Sequence, residues 1–256
     1  MSMPPERAGA DAARLAAEAA PGRIAFLHIP KTAGTSLTQA LATHWGRVRI
    51  IGRWEELRDL PPSGLDDITL FAGHFFARQL THPALAAFVP VTVLRDPIAR
   101  LFSEYRFGRY TAEMGRPLTP SMEYGLRVDF FEYAFSGMGS WGRHMQLFML
   151  GLEEGEQHST VPLGDLLHRA KRRLDTMRVG LTEDLAPFLE RLFAEARAPV
   201  PSLPRLMAQD TVEDDGLTAA QRAVLAEVLA PDYALYAHGR AVMQRWLDRD
   251  PAVAAG

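Results

Sequence analysis

Short apolar runs that alternate with segments of helical spacing constrain this chain more than any other feature. RIAFLHI leads through PKTAGTS into LTQALATHW, and DDITLFAGHFF follows at residues 66–76. VTVL, residues 91–94, then leads through RDP into IARLFSEYRF. Runs of this length, without polar alternation, suit strands buried on both faces. Their alternation with helices predicts an α/β fold in which helices flank a central parallel sheet. RVGL, residues 178–181, predicts a further strand. RHMQLFML, LGDLLHRAKRRLDTM, LAPFLERLFAEA, LTAAQRAVLAEVLA and DYALYAHGRAVMQRWL predict helices, so the C-terminal part is expected to be helical.

Between these segments, WEELRDLPPSGL reads as a connecting loop because of its prolines and glycine. Residues 108–142 mix turn residues with isolated aromatics, the pattern of a lid or acceptor-binding insertion and equally of an ordinary surface excursion. The chain of 256 residues is expected to form one domain over residues 22–250. Residues 1–21 are expected to be an alanine-rich, flexible or helical extension ahead of it. Arg14 and Glu18 interrupt that extension, and no apolar run approaches the roughly 20 residues of a membrane span, so the expectation is a soluble, cytoplasmic protein. The absence of cysteine excludes disulfides and thiolate chemistry and fits a reducing compartment. With 28 Lys and Arg against 31 Asp and Glu, no overall basic field favours nucleic acid, and any anion must meet a local cluster.

PKTAGTS is a candidate for such a cluster. A strand-to-helix turn presents the unpaired N–H groups and positive dipole end of the helix to a ligand. Gly34 is expected to supply backbone freedom, Thr35 and Ser36 hydroxyls, and Lys31 an ammonium for a phosphate oxygen. The order differs from the nucleotide-triphosphatase loop, since the lysine precedes the glycine. By itself such a loop is also what a solvated lysine beside a serine-capped helix looks like. Two more strand ends point to the same sheet edge. Arg95 closes VTVL, with Asp96 placed to cap the next helix and Pro97 at its first position. Ser103 lies two turns into that helix, and together with Arg95 it can hold a second phosphate. His74 closes the strand in FAGHFF, where it is a candidate general base. Ligands of open parallel sheets bind beyond this edge.

No metal-ligand pattern, nucleophile elbow or dinucleotide fingerprint is present, and no strand ends in the aspartate of a Walker-type magnesium site. A sulfuryl group carries less negative charge than a phosphoryl group and depends less on a metal, so none is expected.

HIPKTAGTSL resembles the 5′-phosphosulfate loop of the sulfotransferase superfamily, in particular the branch with heparan sulfate 2-O-sulfotransferase and related carbohydrate sulfotransferases. LRDPIARLFSEY resembles the 3′-phosphate motif, with arginine and serine at the expected separation. GHFF resembles the glycine–histidine site, RVGLTEDLAPFLERL the V-G-L-T-E segment and DYALYAHG the C-terminal D-x-x-L-Y-x-x-A pattern. The resemblance implies a P-loop-like sulfotransferase fold. It also implies a 3′-phosphoadenosine 5′-phosphosulfate donor held by Lys31, Thr32, Gly34, Thr35 and Ser36, with Arg95 and Ser103 on the 3′-phosphate. His74 would be the base and Lys31 would stabilise the leaving phosphate. RHMQLFMLG departs from the N-x-x-T-R-x-L-x-G-like stretch of the family. Arg78, Arg106, Arg109, Arg143 and His144 are candidates for contacting an anionic or saccharide acceptor. Two other readings are an atypical small-molecule kinase, which needs magnesium and an acidic ligand, and a non-catalytic adenine-nucleotide-binding module.

Overall fold

The computed structural model describes residues 22–200 and 215–249. The extension over residues 1–21 lies outside the described residues. Five parallel strands form one sheet: β1 (Ile24–Leu27), β2 (Val48–Ile51), β3 (Leu70–Gly73), β4 (Val89–Leu94) and β5 (Arg178–Leu181), in the order β2-β3-β1-β4-β5. Every residue of β1, β3 and β5 is buried, as expected of strands covered on both faces; β1 and β3 are apolar throughout, and in β5 the buried Arg178 pairs with Glu195 at 3.2 Å. The register places Leu27 beside Gly73 on one side and Thr92 on the other. After β1 the chain lays down the edge strand β2, returns to place β3 beside β1, and then crosses to β4 on the other side of β1. The topological switch point therefore lies between β1 and β4, the place where open α/β sheets bind ligands.

The helices are α1 (Gly34–Ala42), α2 (Glu55–Arg58), α3 (Pro97–Glu113), α4 (Pro120–Gly125), α5 (Phe130–Phe135), α6 (Ser140–Arg143), α7 (Met145–Gly151), α8 (Leu163–Leu174), α9 (Leu185–Glu195), α10 (Ala219–Val228) and α11 (Ala230–Leu247). The main core joins the sheet to α1, α7, α8, α9 and α11. At Gly239, α11 lies so close to β4 that a Cβ would sit 2.5 Å from Leu94 Cδ1. A second, smaller cluster packs Ile98, Leu101 and Tyr105 of α3 against Phe130, Tyr133, Leu225 and Leu229.

Two stretches carry more structure than the sequence predicts. The segment before β3, read as a loop over WEELRDLPPSGL, contains α2, and the preceding residues form β2. As an edge strand, β2 pairs with β3 alone among the described residues, and Ile50 is 62% exposed, so it needs no continuous apolar run and Arg49 interrupts it without cost. Residues 108–142 are mainly helical. Their isolated aromatics, Phe130 and Tyr133 among them, are anchors for α3.

Candidate functional site

Residues 28–33 turn the chain from β1 into α1, and two of them, Lys31 (φ 70°) and Ala33 (φ 62°), hold the left-handed conformation that residues with a Cβ rarely adopt. Thr32 is fully buried and donates its hydroxyl to the Ile29 carbonyl at 2.9 Å, pinning the turn from inside. The N-cap of α1 is Ala33, which offers no side-chain cap, so neither Thr35 nor Ser36 caps the helix. The first intrahelical bond runs from Leu37 N–H to the Ala33 carbonyl at 3.0 Å. The N–H groups of Gly34, Thr35 and Ser36 precede it and face the turn, as in anion sites at helix N-termini. Thr35 is exposed and Ser36 half-buried, which leaves both hydroxyls at the opening.

Gly34 has another purpose than the one its place in the loop predicts. Its backbone is helical, and the left-handed positions fall on Lys31 and Ala33. A Cβ at Gly34 would lie 1.8 Å from Cδ2 of His28, so the glycine is there to let α1 pass the His28 ring.

Three cations meet at this turn. Arg95 Nη1 donates to the Lys31 carbonyl at 3.4 Å and Arg100 Nη1 to the Pro30 carbonyl at 3.5 Å. The Lys31 ammonium lies 3.9 Å from the centroid of the Phe107 ring. Burial, with Arg95 and Arg100 adding to it against the pull of Glu104, brings the Lys31 ammonium down from 10.5 to about 8. An anion placed here would relieve that repulsion. Arg100 was not foreseen from the sequence. It is only 1% exposed, pairs with Glu104 at 2.6 Å and donates to the Gly142 carbonyl. The one signal for it is the i,i+4 spacing to Glu104.

Arg95 is held through its backbone. Its N–H donates to Gln146 Oε1 and its carbonyl accepts from Gln146 Nε2, both at 2.9 Å. Asp96 caps α3 as predicted, accepting from Ala99 N–H at 3.0 Å, with Pro97 at the first helical position. Ser103 is half-buried on α3 and makes no hydrogen bond with a described residue. Residues from the far end of the chain lock this strand end. Thr182 Oγ1 donates to the Leu94 carbonyl at 3.2 Å, and Asp96 N–H donates to Glu183 Oε1 at 2.9 Å. Tyr236 in turn donates to Glu183 Oε2 at 2.8 Å.

His74 is exposed just past β3, and its Nδ1 lies 2.8 Å from the His28 carbonyl. A carbonyl only accepts, so Nδ1 carries the proton and the neutral ring keeps its lone pair on Nε2. The His28 ring, also unforeseen, lies tilted against it with centroids 4.4 Å apart. Burial first, then His74 and Lys31, hold His28 down to about 4, so it stays uncharged at neutral pH. Gly73, which precedes His74, serves the sheet, since a Cβ there would lie 2.3 Å from the Ile51 carbonyl oxygen.

The five proposed acceptor contacts are spread over the segment after β3, α3, the end of α6 and the residue before α7. Arg78 pairs with Glu154 at 3.1 Å and lies over the Phe76 ring. Arg143 donates to the Ser136 carbonyl at 3.2 Å, and His144 is buried against Asp232, with Nδ1 to Oδ2 at 2.5 Å. Burial pushes the Asp232 carboxyl up and His144 opposes that shift. Arg106 and Arg109 are exposed on α3, near Phe102 and Tyr105 respectively.

No protein-family model matches the chain, and no curated protein matches it. Among solved structures it is similar to a sulfotransferase from Alicyclobacillus acidocaldarius, at 16% identity, covering 89% of this chain and 96% of that one, with a TM-score of 0.45. No helix among the described residues is long and apolar enough to cross a membrane.

Proposed function

We propose that this chain is a sulfotransferase that moves a sulfuryl group from 3′-phosphoadenosine 5′-phosphosulfate to a hydroxyl of a carbohydrate or glycoconjugate. One observation carries the reading. Five segments resembling parts of the sulfotransferase pattern, spread from residue 28 to residue 236, meet at one edge of the sheet through the contacts His74–His28, Arg95–Lys31, Thr182–Leu94, Glu183–Asp96 and Tyr236–Glu183.

The residues fit such a donor, because a turn that crowds Lys31, Arg95 and Arg100 around free helix N–H groups suits a polyanion. The donor supplies a sulfur centre on a phosphate leaving group. Lys31 and the N–H groups of Gly34, Thr35 and Ser36 hold its 5′ end, with the Thr35 and Ser36 hydroxyls beside them. Thr32 contributes by fixing the turn. Arg95 and Ser103 hold the 3′-phosphate, the arginine as a two-pronged donor. His74 Nε2 takes the proton of the acceptor hydroxyl as that oxygen bonds to sulfur. Lys31 and the helix end stabilise the electron pair left on the phosphate oxygen as the sulfur–oxygen bond breaks in line. The products are a sulfate ester and adenosine 3′,5′-bisphosphate.

Calorimetry with adenosine 3′,5′-bisphosphate in chelator, against ATP with magnesium, tests the donor. The expected result is micromolar binding of the bisphosphate, weakened about ten- to a hundredfold by Arg95→Ala. Preference for ATP with magnesium would overturn the reading in favour of phosphoryl transfer.

A further inference from the structure

We infer that the cavity beyond Phe76 is the acceptor subsite and that it takes an uncharged, hydroxyl-bearing ring, a neutral sugar residue. The inference rests on the sulfuryl-transfer reading for the name acceptor, though not for the binding itself. The cavity holds about 310 Å³, at the small end of the range for small-molecule sites. It adjoins the cradle by two routes. Along the chain after β3, exposed His74 is followed by buried Phe75 and then by half-buried Phe76, which lines the cavity. On the other wall, Trp141 precedes Gly142, whose carbonyl accepts from the same Arg100 that reaches Pro30.

The walls suit a ring with an apolar face. Phe76 and Trp141 meet edge to face at 6.4 Å, and Trp141 meets His158 at 4.8 Å. The charges at the cavity are already neutralised within the chain. Arg78 pairs with Glu154 at 3.1 Å, and Arg169 reaches both Glu156 oxygens at 2.9 and 2.8 Å. A polyanionic or uronate-bearing acceptor would have to displace one of these pairs, and a neutral one leaves them in place. The remaining polar lining, Gln157 and Ser159, is exposed, and its side chains make no hydrogen bond with a described residue. A sugar has both an apolar C–H face and a rim of neutral hydroxyls, whereas a simple phenol has only the face.

Saturation-transfer NMR on the full chain, with lactose, methyl β-glucuronide and 4-nitrophenol as probes, tests this. Calorimetry with the bisphosphate runs in parallel. Lactose is expected to bind, and to weaken about tenfold in Trp141→Ala and in Ser159→Trp. Ser159→Trp fills the mouth from an exposed position and leaves bisphosphate binding unchanged. Absent lactose binding, lactose binding indifferent to Ser159→Trp, or tighter binding of the glucuronide or the phenol would each overturn the inference. Lactose binding lost in Ser159→Trp without any bisphosphate binding would support the sugar subsite while removing the donor reading.

Discussion

The cradle between β1 and β4 and the cavity lined by Phe76 and Trp141 are made of different material. In the cradle the ligand groups are mostly backbone N–H groups and cations fixed by backbone contacts, with Lys31 and Ala33 kept in a costly conformation at about 1–3 kcal/mol each. In the cavity they are faces of side chains on short helices and on a loop whose Glu153, Glu154 and Glu156 are tied to Arg173, Arg78 and Arg169. A site made of backbone tolerates few sequences and fixes one ligand geometry. A site made of side-chain faces on strapped loops changes its ligand by changing a few residues without disturbing the sheet.

The strongest effect is expected at His74. His74→Ala is expected to cut sulfuryl transfer by roughly 10²–10⁴-fold while bisphosphate binding by calorimetry stays within about twofold. Equal loss of both would show that the His74–His28 contact only supports the turn. The next effect is on the cradle's packing. Gly34→Ala drives a methyl into the His28 ring and is expected to cost about 1–3 kcal/mol in chemical denaturation, with bisphosphate affinity falling as well. An unchanged denaturation midpoint would show that His28 can move aside. Smallest is Ala33→Gly, which relieves a left-handed residue and is expected to stabilise the fold by about 1 kcal/mol, with no loss of bisphosphate affinity. Destabilisation instead would mean that the turn is not strained at this position.

The same contrast explains what the sequence made legible. Strands β1, β3, β4 and β5 are mostly apolar because both faces are covered, with Thr92 and Arg178 the exceptions and each bonded within the chain, so their positions could be read directly. β2, covered on one edge only, could not. Lys31, Arg95, Asp96 and His74 were legible because strand ends and helix starts demand particular residues there. Arg100, His28 and Gln146 were not, because each acts through a partner far along the chain: Gly142, His74 and the Arg95 backbone. Gly34 was read for its conformation when its reason is a ring packed against it. The cavity was the least legible part, since Phe76, Trp141 and His158 belong to three separate segments that share no local pattern.

An anion in the cradle has to meet Lys31, and the sequence makes that meeting directly observable, because Lys31 and Lys171 are its only lysines. With ¹³Cε-labelled lysine, the Lys31 signal is expected to titrate near 8 in the free protein, as burial and the neighbouring arginines require. The bisphosphate favours the charged form, so its binding should move that midpoint upward and take up a proton in the interval between the two values. Affinity should therefore fall as pH rises through about 8. A Lys31 midpoint at the ordinary lysine value of 10.5, or one that stays put when the bisphosphate is bound, would contradict the placement of the donor in this turn.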